Sequence, residues 1–162
     1  MFWYEDIFLN TDLTPAPQVV YTSAGEPMTM SKVDEVTLVI EFTQPNPNFD
    51  LTMSKSHWNA RMYAPKHYLQ QWHINYNEQA NEVARSENFD NWVLAFQFHL
   101  AYGQNQQDTN LPDITPWVLS RIDELNNKFF ERNPYYWVVD TAGNQLPYID
   151  RQVGVLVRDA QV

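Results

Sequence analysis

Val36-Thr37-Leu38-Val39-Ile40-Glu41-Phe42 places Val36, Leu38, Ile40 and Phe42 on one side of an extended chain and Thr37 and Glu41 on the other. That period of two predicts a half-buried strand. A strand needs a partner, and the run from Met28 to Val33 is the nearest that can pair with it. Gln44-Pro45-Asn46-Pro47-Asn48 follows and ends the ladder, because proline has no N–H to donate. The chain is therefore committed to some sheet, and the remaining question is what packs with it.

Helical signals follow. Pro65 sits where the first position of a helix carrying Tyr68, Leu69 and Trp72 belongs. A short helix is predicted from Glu78 to about Glu87 with Asn77 as its cap, and Asn88 is placed to cap another. Phe89, Trp92, Val93, Phe96 and Leu100 recur at the spacing of one apolar helix face. Gly103 to Asn110 is a polar loop. Past Pro116 the pattern returns to strands. Trp117-Val118-Leu119-Ser120-Arg121 and Lys128-Phe129-Phe130-Glu131-Arg132 flank Asp123-Glu124-Leu125-Asn126-Asn127, which predicts a hairpin with a five-residue loop. Thr141-Ala142-Gly143-Asn144 reads as a turn, and Val153, Val155 and Val157 as a last strand. Leu51 to Met62 has no clear period. Thr-Met-Ser-Lys occurs twice, at Thr29 and Thr52, in unrelated surroundings, so it is no repeat. The fold class is α+β, a mixed α/β arrangement without a strict βαβ rhythm.

At the start, Phe2, Trp3, Tyr4, Ile7, Phe8 and Leu9 crowd around Glu5 and Asp6. This reads as the second half of a buried helix lacking its own cap. Pro15 and Pro17 bar helix in the exit that follows. The expectation is that the chain was cut from something longer, with no export signal at Met1.

Composition limits function. The 162 residues carry 20 acidic and 10 basic side chains, a net charge of −10. Such a surface repels nucleic acid and anionic lipid. Cysteine is absent, which removes disulfides, thiolate metal sites and thiol nucleophiles. No apolar run is long enough to span a membrane. His57, His67, His73 and His99 lack the spacing of metal ligands, so they read as capping or surface residues and no metal or other cofactor is expected. Asp34-Glu35 and Asp123-Glu124 are sequence neighbours, whereas acid-base pairs face each other across a pocket, so both pairs read as exposed turn charges. With four glycines and no Gly-x-Ser-x-Gly elbow, neither a phosphate loop nor a serine nucleophile is visible. No enzyme activity is expected.

Several segments carry a resemblance. Phe130-Glu131-Arg132-Asn133-Pro134-Tyr135-Tyr136-Trp137 resembles the Asn-Pro-x-Tyr-Trp segment of the family 5 extracellular solute-binding proteins, the oligopeptide-, dipeptide- and nickel-binding group. Val139 to Asp150 is similar to the linker that follows it. Tyr63-Ala64-Pro65-Lys66-His67-Tyr68-Leu69, Glu35 to Pro47 and Phe2 to Ile7 resemble further segments in the family's order. One departure stands out: a Gly-Thr-Gly-Pro-like turn usual before the strand holding Trp117 reads Pro112-Asp113-Ile114-Thr115-Pro116 here. Without glycine, that turn is expected to be built differently.

The resemblance implies an internal fragment, residues 1–162, of the first lobe of a type II (cluster C) periplasmic-binding-protein fold. The second lobe and the export signal would be absent. It implies the substrate-binding component of an ABC importer, outside the cytoplasmic membrane in the periplasm or at the cell surface, with or without a lipid anchor. A peptide or oligosaccharide solute and the ABC permease subunits would be its partners, with no nucleic acid and no membrane span. Lys55, Ser56, His57 and Trp58 would run near the cleft, where a Trp beside polar groups suits a solute site; the competing reading is a loop Trp packed on its own lobe. Trp117 is a second ligand candidate, also open to a core role. Asn133, Pro134, Tyr136 and Trp137 read as structural, Pro134 fixing a turn and Trp137 packing a large apolar surface. The alternative is a self-contained, aromatic-rich carbohydrate-binding or protein-interaction module.

Overall fold

In the computed structural model, which describes residues 1–55, 62–101 and 103–157, Trp3–Phe8 winds as a π-helix with Trp3, Ile7 and Phe8 buried. Its wide turn is seen in the bond that the Leu9 amide donates to the Tyr4 carbonyl at 3.0 Å, five residues back. The Asn10 carboxamide oxygen then accepts from the amides of Asp12 and Leu13, closing the exit. Trp3 stacks on Phe8 with ring centres 5.2 Å apart, and Tyr21 meets both edge-on. The chain divides into two compact units, Met1–Leu100 and Ala101–Val162, and this aromatic cluster belongs to the first.

Two hairpins follow in that unit. β1 (Thr22–Ser23) pairs with β2 (Glu26–Pro27). β3 (Thr29–Lys32) pairs antiparallel with β4 (Leu38–Glu41), Met30 opposite Ile40 and Lys32 opposite Leu38, which is the partnership expected from the alternating run. The expected buried face is only partly realised. The Asp34 carboxylate accepts from the Val36 amide and from the Thr37 hydroxyl, both at 2.9 Å. That turn takes Val36 out of the ladder and leaves it 95% exposed. Leu38 is also exposed, while Val39, Ile40 and Phe42 are half-buried. The period was right for a strand, but the local aspartate turn shortened it.

Helices complete the first unit. α1 spans Phe49–Met53. Pro65 precedes α2 (Lys66–Leu69), one residue earlier than expected, and its carbonyl accepts from the Tyr68 and Leu69 amides at 3.0 Å. A 3-10 turn over Gln70–Trp72 continues it, so Tyr68, Leu69 and Trp72 are all buried. α3 (Ala80–Ser86) begins after Asn77, whose side chain accepts from the Gln79 amide. Asn88 departs from expectation. It has φ +68°, and the Asn88 and Phe89 amides donate to the carbonyls of Arg85 and Ala84. This is the Schellman ending of α3, a left-handed position that asparagine tolerates. The side chain that caps α4 (Trp92–Leu100) is Asn91, accepting from Leu94 at 3.1 Å. Trp92 and Phe96 of the predicted face are buried together with Ala95.

The second unit is built on an antiparallel sheet of β5 (Trp117–Ile122), β6 (Lys128–Arg132) and β7 (Arg151–Gly154), in that order. The predicted hairpin is present, with a bulge near Ser120, whose hydroxyl donates to the Phe129 carbonyl. The predicted last strand ends at Gly154, before Val155 and Val157, because the Leu156 amide turns to the Asn127 side chain instead of a ladder partner. Gln104, Leu119, Asn133 and Pro147 are its buried side chains among the described residues.

Two turns of this unit share one construction. Asp123 accepts from the amides of Leu125 and Asn127 and from the Asn127 carboxamide at 2.8–3.0 Å. Asp140 accepts from the amides of Ala142 and Asn144 and from the Asn144 carboxamide at 2.8–2.9 Å. The residue before each asparagine is left-handed: Asn126 at φ +64° and Gly143 at φ +84°. Asp-x-x-x-Asn is thus a turn motif used twice.

Candidate functional site

Lys55 is exposed and follows α1, its amide donating to the Thr52 carbonyl. Ser56, His57 and Trp58 lie outside the described residues, so Lys55 is the member of that cluster with a position. It belongs to the first unit, whereas Trp117 and Asn133 to Trp137 belong to the second.

Trp117 opens β5 and is half-buried. Its indole N–H is committed to the Ile149 carbonyl at 3.0 Å. Any solute it meets would therefore find the ring face rather than a donor. The position of Trp117 is set from the turn before it. Asn133 is 4% exposed and donates from one carboxamide nitrogen to the carbonyls of Asp113 and Thr115, both at 3.0 Å. Its own amide donates to the Pro116 carbonyl at 2.9 Å, and its side-chain oxygen accepts from the Tyr135 amide. Within the turn, the Asp113 carboxylate accepts from the Thr115 amide and hydroxyl and from the Asn105 carboxamide. Side chains thus do here what glycine-permitted backbone would do elsewhere: Asp113 and Thr115 fold the turn and Asn133 locks it.

The segment after Asn133 is held by Gln145, which donates to the carbonyls of Pro134 and Tyr136 at 2.8 and 2.7 Å. Pro134 lies in an exposed turn and Tyr136 is half-buried. Trp137 differs from expectation: it is 76% exposed and packs no large apolar surface among the described residues. The backbone anchors on either side fix the chain path without needing its ring. Tyr135 is 91% exposed. Nearby, the Tyr148 hydroxyl donates to the Asp140 carboxylate at 2.5 Å. That bond first, then those from Asn144, holds the Asp140 carboxyl down to about 2, and the same bond raises the Tyr148 phenol. Tyr148 is exposed and Asp140 half-buried, and hydrogen bonding, the largest cause for each, sets these directions.

Sequence reasoning missed Asp113, Thr115 and Gln145 as anchors. The Asp-x-Thr spacing was a readable signal for a side-chain-built turn; Gln145 carried none.

The histidines also divide. His73 is fully buried, against the expectation of a cap or surface residue. Its Nδ1 accepts from the Asn75 amide, so the ring proton lies on Nε2 and donates to the Asp6 carbonyl at 3.1 Å. Phe96 and Trp92 surround it. His99 stacks on Trp72 at 3.6 Å between ring centres, with Nε2 at 2.8 Å from Glu87, whose other oxygen accepts from the Trp72 indole. These contacts join α3 and α4 to the 3-10 turn as structure. Asp34 and Asp123 are turn carboxylates held below the usual range by the bonds they accept, chiefly from the Val36 amide and the Asn127 side chain respectively. Among the described residues no group of three or more His, Cys, Asp or Glu is placed to hold a metal ion. None of their helices is long and apolar enough to cross a membrane.

No protein-family model matches the chain. It is 29% identical over 160 residues to the periplasmic alpha-galactoside-binding protein of Rhizobium meliloti (strain 1021), a match covering 93% of this chain and 19% of that protein. Among solved structures, the oligopeptide-binding protein OppA superimposes with a TM-score of 0.81 and 31% identity, over 98% of this chain and 24% of its own. The periplasmic binding protein MelB of Agrobacterium fabrum C58, solved with stachyose, gives 0.61 and 25% identity over 97% of this chain and 21% of its own. The chain therefore has the mixed α and β fold of part of a periplasmic binding protein, and spans about a fifth to a quarter of the length of these relatives. All three are binding proteins by name.

Proposed function

We propose that this chain is part of the first lobe of a family 5 solute-binding protein. It works outside the cytoplasmic membrane, captures a peptide or oligosaccharide and hands it to an ABC permease. The observation that carries this reading is the similarity to OppA along 98% of the chain at a TM-score of 0.81, joined to the Asn133-to-Trp137 segment. In a two-lobed binding protein, solute held between the lobes favours the closed form through its greater affinity for that form, and the closed form is what the importer recognises. Part of one lobe supplies part of the enclosing surface, so binding belongs to the whole protein. Lys55, Ser56, His57 and Trp58 are the proposed contacts; Trp117, in the second unit, is a separate candidate that would offer a ring face.

The solute class is open between two chemistries. One relative is named for oligopeptides, which such proteins hold largely through backbone hydrogen bonds. Two point to galactosides and stachyose, whose apolar faces stack on indole rings.

A thermal-shift screen of the whole protein against di- to octapeptides and against galactosides including stachyose tests the reading. A solute at 100 times its Kd stabilises the native state by about 2.7 kcal/mol. A raised midpoint with one class supports solute capture and names the class. No shift with either class counts against it.

A further inference from the structure

We draw no further inference here: the strongest candidate, the exposed rings of Tyr135, Trp137 and Tyr148 in the second unit, carries nothing because nothing in the structure shows what covers them.

Discussion

The side-chain amide of Asn133 donates at 3.0 Å to the carbonyl of Asp113, twenty residues earlier in the chain, and shares the same nitrogen with the carbonyl of Thr115. One buried side chain thus ties the segment after β6 to the turn before β5. It accounts for the asparagine of Asn133-Pro134-Tyr135-Tyr136-Trp137 by hydrogen-bond geometry alone. Removing the amide would leave two carbonyls without their donor in a water-poor place, and each such loss costs about 1–3 kcal/mol. Asn133→Ala should lower stability by about 2 kcal/mol or more in urea unfolding. Asn133→Asp should be worse, because a carboxylate would face two carbonyl oxygens. A change below about 0.5 kcal/mol for both would refute the latch.

The twin turns allow a paired test. Gly143 sits at φ +84° with open space where a Cβ would be, so Gly143→Ala is strained only by its backbone. It should destabilise by about 1 kcal/mol. Asn126 holds the equivalent place at φ +64°, and Asn126→Gly should be neutral or stabilising by a few tenths of a kcal/mol. Equal effects of the two substitutions would mean that the turns are not equivalent.

Asp140 predicts an acid response. The Tyr148 hydroxyl bond, with those from Asn144, holds its folded carboxyl down to about 2, below the ordinary aspartate value of 3.8. A group lowered in this way contributes stability above 3.8 that is lost as pH falls through about 2. Carboxyl NMR titration should place Asp140 among the lowest aspartates. Tyr148→Phe removes the largest cause of the shift, so the titration should then move upward. An unchanged midpoint in that variant would show that the hydroxyl bond does not form in solution.

Glu87 joins Trp72 to His99. Glu87→Ala should cost about 1–3 kcal/mol by leaving the mostly buried indole N–H without this acceptor. Glu87→Gln keeps an acceptor for Trp72 and should cost less. Chemical denaturation of both variants checks the order, and a reversed order would remove Glu87 from its bridging role.

If Trp117 presents a ring face to solute, Trp117→Phe should retain binding within a few-fold. Trp117→Ala should weaken it by tenfold or more, since loss of a stacking platform is worth about 1–3 kcal/mol at comparable sites. Calorimetry with the solute found by screening distinguishes them. Equal affinity for the wild type and both variants would remove Trp117 from the site.

The parts of the fold that could be read from the sequence were those governed by nearest neighbours. The β5–β6 hairpin followed from two apolar runs around an aspartate-led loop, and the pairing of Met30 with Ile40 from a strand with one adjacent partner. The failures came where one residue type serves two purposes. Asparagine favours both helix starts and left-handed helix ends, so Asn88 was assigned to the wrong helix. Val36 fitted a strand by period until Asp34 formed its turn. His73 showed no local mark of burial, because its partners, Asp6 and Phe96, come from distant segments. For the candidate site, the sequence pointed to Asn133 but not to Asp113 or Thr115 as its partners, since these contacts cross between segments twenty residues apart. The exposure of Trp137 was equally hidden, because aromatic content does not say which rings are covered.

The most direct test of solute capture is calorimetric titration of the whole protein with stachyose and with a mixed-length oligopeptide set, beside the Trp58→Ala variant. The proposed function predicts saturable one-to-one binding to one class, weakened at least tenfold in the variant. Full affinity in Trp58→Ala would move the site away from that cluster. No binding of either class by the wild type would contradict the assignment as a peptide or oligosaccharide receptor.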